Sequence, residues 1–151
     1  MNSLFTNEGV AQIKERIESL KPESPRQWGK MDVSQMLAHC QAPLNVGLGK
    51  HPLGKYNFFI KFIGKMVKNS LTKDDKPFRK NQPTDKTFVV ADPRKFEEEK
   101  MKLIDSLESF SKAGRSDKLI PRHPFFGELT QSEWDKMQFK HLDHHLRQFG
   151  A

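Results

Sequence analysis

Thr130-Gln131-Ser132-Glu133-Trp134-Asp135-Lys136-Met137-Gln138-Phe139-Lys140-His141-Leu142-Asp143-His144-His145-Leu146-Arg147-Gln148-Phe149-Gly150 is the stretch on which the fold turns. It carries both ends of a helix. Thr130 is placed as N-cap with Glu133 as its capping-box partner, and Gly150 stops the run. At about 100° per residue, with His141 at zero, an arc from about −40° to 160° collects Met137, Gln148, Trp134, His145, Gln138, Phe149, Leu142, Leu146 and Phe139. Asp135 is the one charge in that arc. Glu133, Lys136, Lys140, Asp143, His144 and Arg147 fill the opposite side. The chain thus presents an amphipathic helix whose buried stripe holds His141 and His145, with His144 at its polar edge. Imidazoles four residues apart share a helix face and can hold one metal ion.

Working outward, the other segments also read as helices. Residues 10–20 space their apolar positions at three and four, and Pro22 and Pro25 stop the helix. Asp32 caps a second helix, with Gln35 completing a capping box, and this helix runs to about Gly47. Pro43 lies inside it and cannot bond the carbonyl of His39, so a kink is expected there. On its wheel His39 falls beside Met36 and Val46, at a border of the apolar arc. Residues 57–68 read as a short helix lying on the others or covering a pocket mouth. Residues 72–91 look irregular, and loops that long are functional or mobile. Asp92-Pro93 reads as the N-cap and first turn of a helix that carries Phe96, Met101, Leu103, Ile104, Leu107 and Phe110 and ends near Gly114. No strand pattern stands out. The expected fold is all-α, with four main helices, one short extra helix, long connecting loops and one domain over residues 1–151.

Composition narrows the setting. The single cysteine, Cys40, can form no bridge within the chain, which suits a reducing cytoplasm. There is no secretory leader pattern and no apolar run long enough to span a membrane. The net charge of +7 is local: residues 50–86 hold ten Lys/Arg against three Asp. Such a segment is either a solvated connection or an attractor of phosphate, anionic lipid or an acidic substrate. Phe58, Phe59 and Phe62 among its lysines could stack on bases or enter lipid, but no nucleic-acid-binding motif accompanies them, and no nucleic-acid partner is expected.

Three segments carry a resemblance. They are Trp28-Gly29-Lys30-Met31-Asp32-Val33-Ser34-Gln35-Met36-Leu37-Ala38-His39-Cys40; His123-Pro124-Phe125-Phe126-Gly127-Glu128-Leu129-Thr130 continuing into Glu133-Trp134; and residues 140–148. The chain resembles the DinB-like (YfiT-like) superfamily of four-helix-bundle metalloproteins, and an uncharacterised domain family within it. The last segment matches that superfamily's His-x-x-His-His-Arg pattern, except that Leu146 separates His145 from Arg147. The resemblance implies that His39, His141 and His145 are the metal ligands. Relatives it points to include metal-dependent transferases using a low-molecular-weight thiol such as bacillithiol and a mycothiol-dependent isomerase, and it further implies such a thiol-dependent transferase or a related hydrolase here.

Three imidazoles leave positions open on zinc, and they also suit nickel, copper or iron; zinc or nickel is the expectation. The ion could lower the pKa of a bound water to about 7 or hold a thiol as thiolate. His144 and His123 are candidate acid–base groups, Gln138 and Gln148 candidates for orienting a ligand, and Glu128 a weaker candidate. Trp134 and Cys40 read as core, and His51 as a loop residue. A small-molecule substrate is expected. Dimers are common for such bundles, and no interface is legible. The competing reading is a non-catalytic, metal-stabilised bundle that binds a partner through residues 50–86.

Overall fold

Four of the five α-helices among the described residues begin at a side chain that accepts one of the backbone N–H groups a helix start leaves unpaired. In the computed structural model, which describes residues 3–74 and 76–151, α1 spans Asn7–Ser19 and is capped by Thr6, whose side chain accepts from Gly9 N. It starts earlier than the apolar spacing indicated, because the cap lies outside that spacing. Gly9 is required there: a Cβ would lie 1.8 Å from the carbonyl oxygen of Ser3. α2 spans Val33–Gly47 with the expected Asp32–Gln35 capping box. It continues helical through Pro43.

α3 spans Phe58–Thr72, longer than the expected short helix. α4 spans Phe96–Arg115, and its N-cap is Lys95, not Asp92. Asp92 is diverted: its carboxylate pairs with Arg94 and its carbonyl accepts from Gln35 Nε2. Glu97, Glu98 and Glu99 crowd the first turn instead, where negative charge suits the helix dipole. α5 spans Gln131–Gln148, with the Thr130–Glu133 capping box in place. One element was not expected: a two-residue antiparallel pair, β1 (Arg122–His123) with β2 (Gly127–Glu128). Strands this short carry no alternation to detect.

The molecule is mainly helical. α2 packs on α4 and α5, and α1 packs on the same two helices. Their apolar faces meet in one core that includes Ile13, Ile17, Met36, Leu37, Leu44, Leu103, Leu107, Phe110, Trp134, Leu142 and Leu146. Polar pins fix the edges of this core. Asp135, the charge on the buried arc of α5, accepts from Leu4 N at 2.6 Å and from the Ser3 hydroxyl, and so ties down the N-terminal segment. Trp134 is fully buried and donates its indole N–H to the Ile120 carbonyl at 2.8 Å. Arg16 bridges from α1 to Asp143 at 2.9 Å.

α3 stands apart from this core and touches α5 and β2. Lys140, on the polar arc of the α5 wheel, is nevertheless buried, because the end of α3 covers it. Its ammonium donates to the carbonyls of Leu71 and Asp74 at 2.8 and 3.0 Å.

Candidate metal centre

α2 and α5 cross so that His39 meets His141 and His145. One ligand atom from each imidazole can be chosen such that all lie within 4.8 Å of one another. His39 Nε2 and His141 Nε2 are 3.1 Å apart. Two nitrogens at about 2.0–2.1 Å from a shared tetrahedral zinc would stand about 3.3 Å apart, so this spacing is close to that of two ligands. The ring centroids of His141 and His145 are 4.7 Å apart, and those of His39 and His145 are 4.6 Å apart.

The outer ring nitrogens set the tautomers. His39 Nδ1 lies 2.8 Å from the carbonyl oxygen of Phe88, which can only accept, so Nδ1 carries the proton and Nε2 a lone pair. His145 Nδ1 lies 2.8 Å from Gln148 Oε1. The Gln148 amide is fixed in turn, because its Nε2 donates to the Trp28 carbonyl at 2.8 Å. His145 therefore also turns a bare Nε2 inward. His141 Nδ1 is buried and has no partner among the described residues.

Burial, the dominant cause in each case, lowers the pKa of all three imidazoles, His145 to about 3 and His141 well below the usual value. Neighbouring imidazoles add to the shift of His141 and His145, since a proton on one disfavours a proton on the next. Neutral rings with converging nitrogens suit a cation.

A cavity of about 680 Å³ opens beside the cluster, with His39, His141, His144, His145 and Gln148 in its wall. The segment 78–91, irregular in sequence, lines the opposite side. It is held in place by the Phe88 carbonyl on His39, by Lys80 over the Trp28 ring at 4.4 Å, and by Phe78 beside His144. A single 3-10 turn, Lys86–Phe88, aims the Phe88 carbonyl, and Asp85 caps it. Of the two readings of residues 57–68, lying on the other helices or covering a pocket mouth, the second is corrected. Of α3, only Leu71 reaches the cavity, because α3 docks on the hairpin side of α5.

The other candidates separate cleanly. His144 lies on the cavity wall, 5.0 Å from the ring of His145 and 5.5 Å from that of Trp28. Gln148 touches both His145 and the cavity. Gln138 does not reach the cavity: it is buried, and its Oε1 has no partner among the described residues. It shares the buried arc with His141, about 60° round the wheel, but sits about 4.5 Å further down the axis, a distance that a wheel does not display.

His123 is also absent from the cavity. It is 5% exposed, stacks on Trp134 and Phe126, and its Nδ1 accepts from the amides of Phe125 and Phe126 at 3.0 and 3.2 Å. Glu128 is exposed and paired with Arg122. Trp134 and Cys40 are core, and burial raises the Cys40 thiol pKa far above its usual value. His51 lies against the Phe88 ring, 5.6 Å between centroids. Sequence reasoning missed the carbonyls of Phe88 and Trp28. A backbone carbonyl has no residue signature.

A family model described as "Protein of unknown function (DUF1569)" matches residues 2–151, and the chain belongs to that family. No curated protein and no solved structure matches it.

Proposed function

We propose that this protein is a divalent-metal-dependent enzyme whose ion is held by His39, His141 and His145. Its reaction is transfer of a low-molecular-weight thiol onto a small substrate, or a related hydrolysis. The observation that carries the reading is the pair of outer hydrogen bonds, His39 to the Phe88 carbonyl and His145 to Gln148, which leave two imidazole lone pairs pointing at one spot beside a cavity. The DinB-like resemblance belongs to the same proposal, with α1, α2, α4 and α5 as its four-helix bundle.

The residues fit the group. Three neutral nitrogen donors suit zinc or nickel and leave coordination positions for a small molecule. A divalent ion there would supply Lewis acidity, so that water or a thiol could act as nucleophile near neutral pH. The chain's own contributions are distinct. Phe88 and Gln148 keep the imidazoles in the ligand tautomer. Trp28 and Phe78 narrow the approach, and Lys30 and Arg79 offer positive charge to an acidic substrate at the cavity wall. His144 offers a further imidazole there. The cavity favours a catalytic over a purely structural ion, since a structural site is closed by its fourth protein ligand.

Elemental analysis of protein purified without a histidine tag or added metal tests the reading, comparing wild type with His141→Ala/His145→Ala. Near-stoichiometric metal in the wild type and its loss in the variant are expected. No metal in the wild type, and none taken up on titration, would refute the proposal. Unfolding of the whole domain on chelation would point to the structural alternative.

A further inference from the structure

α3 is amphipathic, but its apolar side faces away from the protein. Phe58, Phe59, Phe62 and Met66 are 87%, 69%, 56% and 62% exposed, and Ile63 and Val67 are also open. With Phe59 at zero, Phe62, Met66, Ile63 and Val67 fall within an arc from about −60° to 80°. The docked side is centred about 130° away from the middle of that arc. There Gly64 lies against the Phe125 carbonyl, where a Cβ would come within 2.1 Å. Lys68 pairs with Glu133 at 3.1 Å and donates to the Glu128 carbonyl. Apart from Leu71, which packs against the core, the helix is thus anchored by its small and basic residues with its large apolar residues outward. That is the reverse of a helix stabilised by the core. Contiguous exposed apolar surface of this kind marks an interaction site.

Charge identifies the occupant. Residues 50–86 carry ten Lys/Arg against three Asp. Lys65 lies on the open flank of α3 beside the apolar strip, Lys61 lies about 40° further round, and both are exposed. A second copy of the chain would bring two α3 helices together, each carrying Lys61, Lys65 and Lys68 and no acidic residue, which like-charge repulsion opposes. An anionic bilayer surface instead satisfies both properties together: apolar side chains enter the headgroup–acyl boundary while lysines meet lipid phosphates. No helix of the described residues is long and apolar enough to cross a membrane, so the contact would be peripheral. We propose that α3 is a membrane-surface anchor, binding anionic lipid through the Phe59–Phe62–Met66 strip and its flanking lysines.

Co-sedimentation of the full chain with phosphatidylcholine vesicles, alone or with about 30% phosphatidylserine, tests this. Binding should be at least about tenfold tighter to the anionic vesicles and should weaken as salt is raised. Phe59→Ser/Phe62→Ser/Met66→Ser should reduce binding about tenfold or more without altering circular dichroism, since these side chains make no core contact. Lys61→Glu/Lys65→Glu, which leaves the apolar strip intact, should lose a similar factor.

Equal binding to both vesicle types would overturn the proposal, as would charge-reversal binding equal to wild type. A dimer in analytical ultracentrifugation that the serine variant abolishes, with no vesicle binding, would also overturn it and make this face an interface between copies.

Discussion

Two regions of the molecule bury imidazoles and lower their pKa values, and they differ in what the rings do. At the C-terminal end of α5, His141 and His145 meet His39 beside a cavity, with inner nitrogens converging and two of the three outer nitrogens engaged. Near its N-terminal end, His123 is stacked between Trp134 and Phe126, and its Nδ1 closes the β1–β2 turn by accepting two amides. Burial is common to both, so burial does not mark a site. What distinguishes the first region is a set of ring nitrogens converging on one point with open space beside it. The second is a turn held by a ring acceptor.

The sharpest way to break this comparison is to remove an imidazole from each region. His145→Ala should abolish measurable metal uptake in titration calorimetry, while His123→Ala should retain full uptake. The penalty for His123→Ala should appear in urea unfolding instead, as a loss of about 2–4 kcal/mol from a cavity and two orphaned amides. Metal loss in both variants would dissolve the distinction.

Acid separates the regions next. Burial depresses the folded-state pKa of His123 to about 4 from the usual 6.5. The folded form thus favours the neutral ring. Its contribution is complete above about pH 6.5 and is lost as the pH falls toward 4, at most about 3 kcal/mol. His123→Phe should flatten that part of the pH–stability curve of metal-free protein, measured by urea unfolding from pH 7 down to about 4. A slope unchanged by the substitution would mean that the ring does not titrate with folding.

A finer contrast sets Gln148 against Gln138, both buried on the same face of α5. Gln148→Leu frees His145 Nδ1 from its acceptor and should weaken metal binding about 10- to 100-fold in calorimetry. Gln138→Leu should leave metal affinity unchanged. The smallest effect is expected at Glu128, where the ion pair with Arg122 is 80% and 73% exposed, respectively. Glu128→Ala should change unfolding free energy by less than about 0.5 kcal/mol and metal content not at all.

The sequence by itself determined the local frame. The capping residues Asp32 and Thr130 placed α2 and α5, and the helical period set the azimuth of His39, His141, His145 and Gln148. These are legible because capping and periodicity act over a few residues of backbone. It also marked Trp134 and Cys40 as core, since apolar spacing reports burial.

Only the tertiary structure decided the rest. It put Gln138 a turn too deep and His123 into the hairpin. It closed the cavity with residues 78–91 instead of α3 and turned the apolar strip of α3 outward. A wheel gives direction but neither depth nor partner. The groups that orient the imidazoles include the Phe88 carbonyl, and a carbonyl is present at every residue alike; its role is set by where the chain brings it.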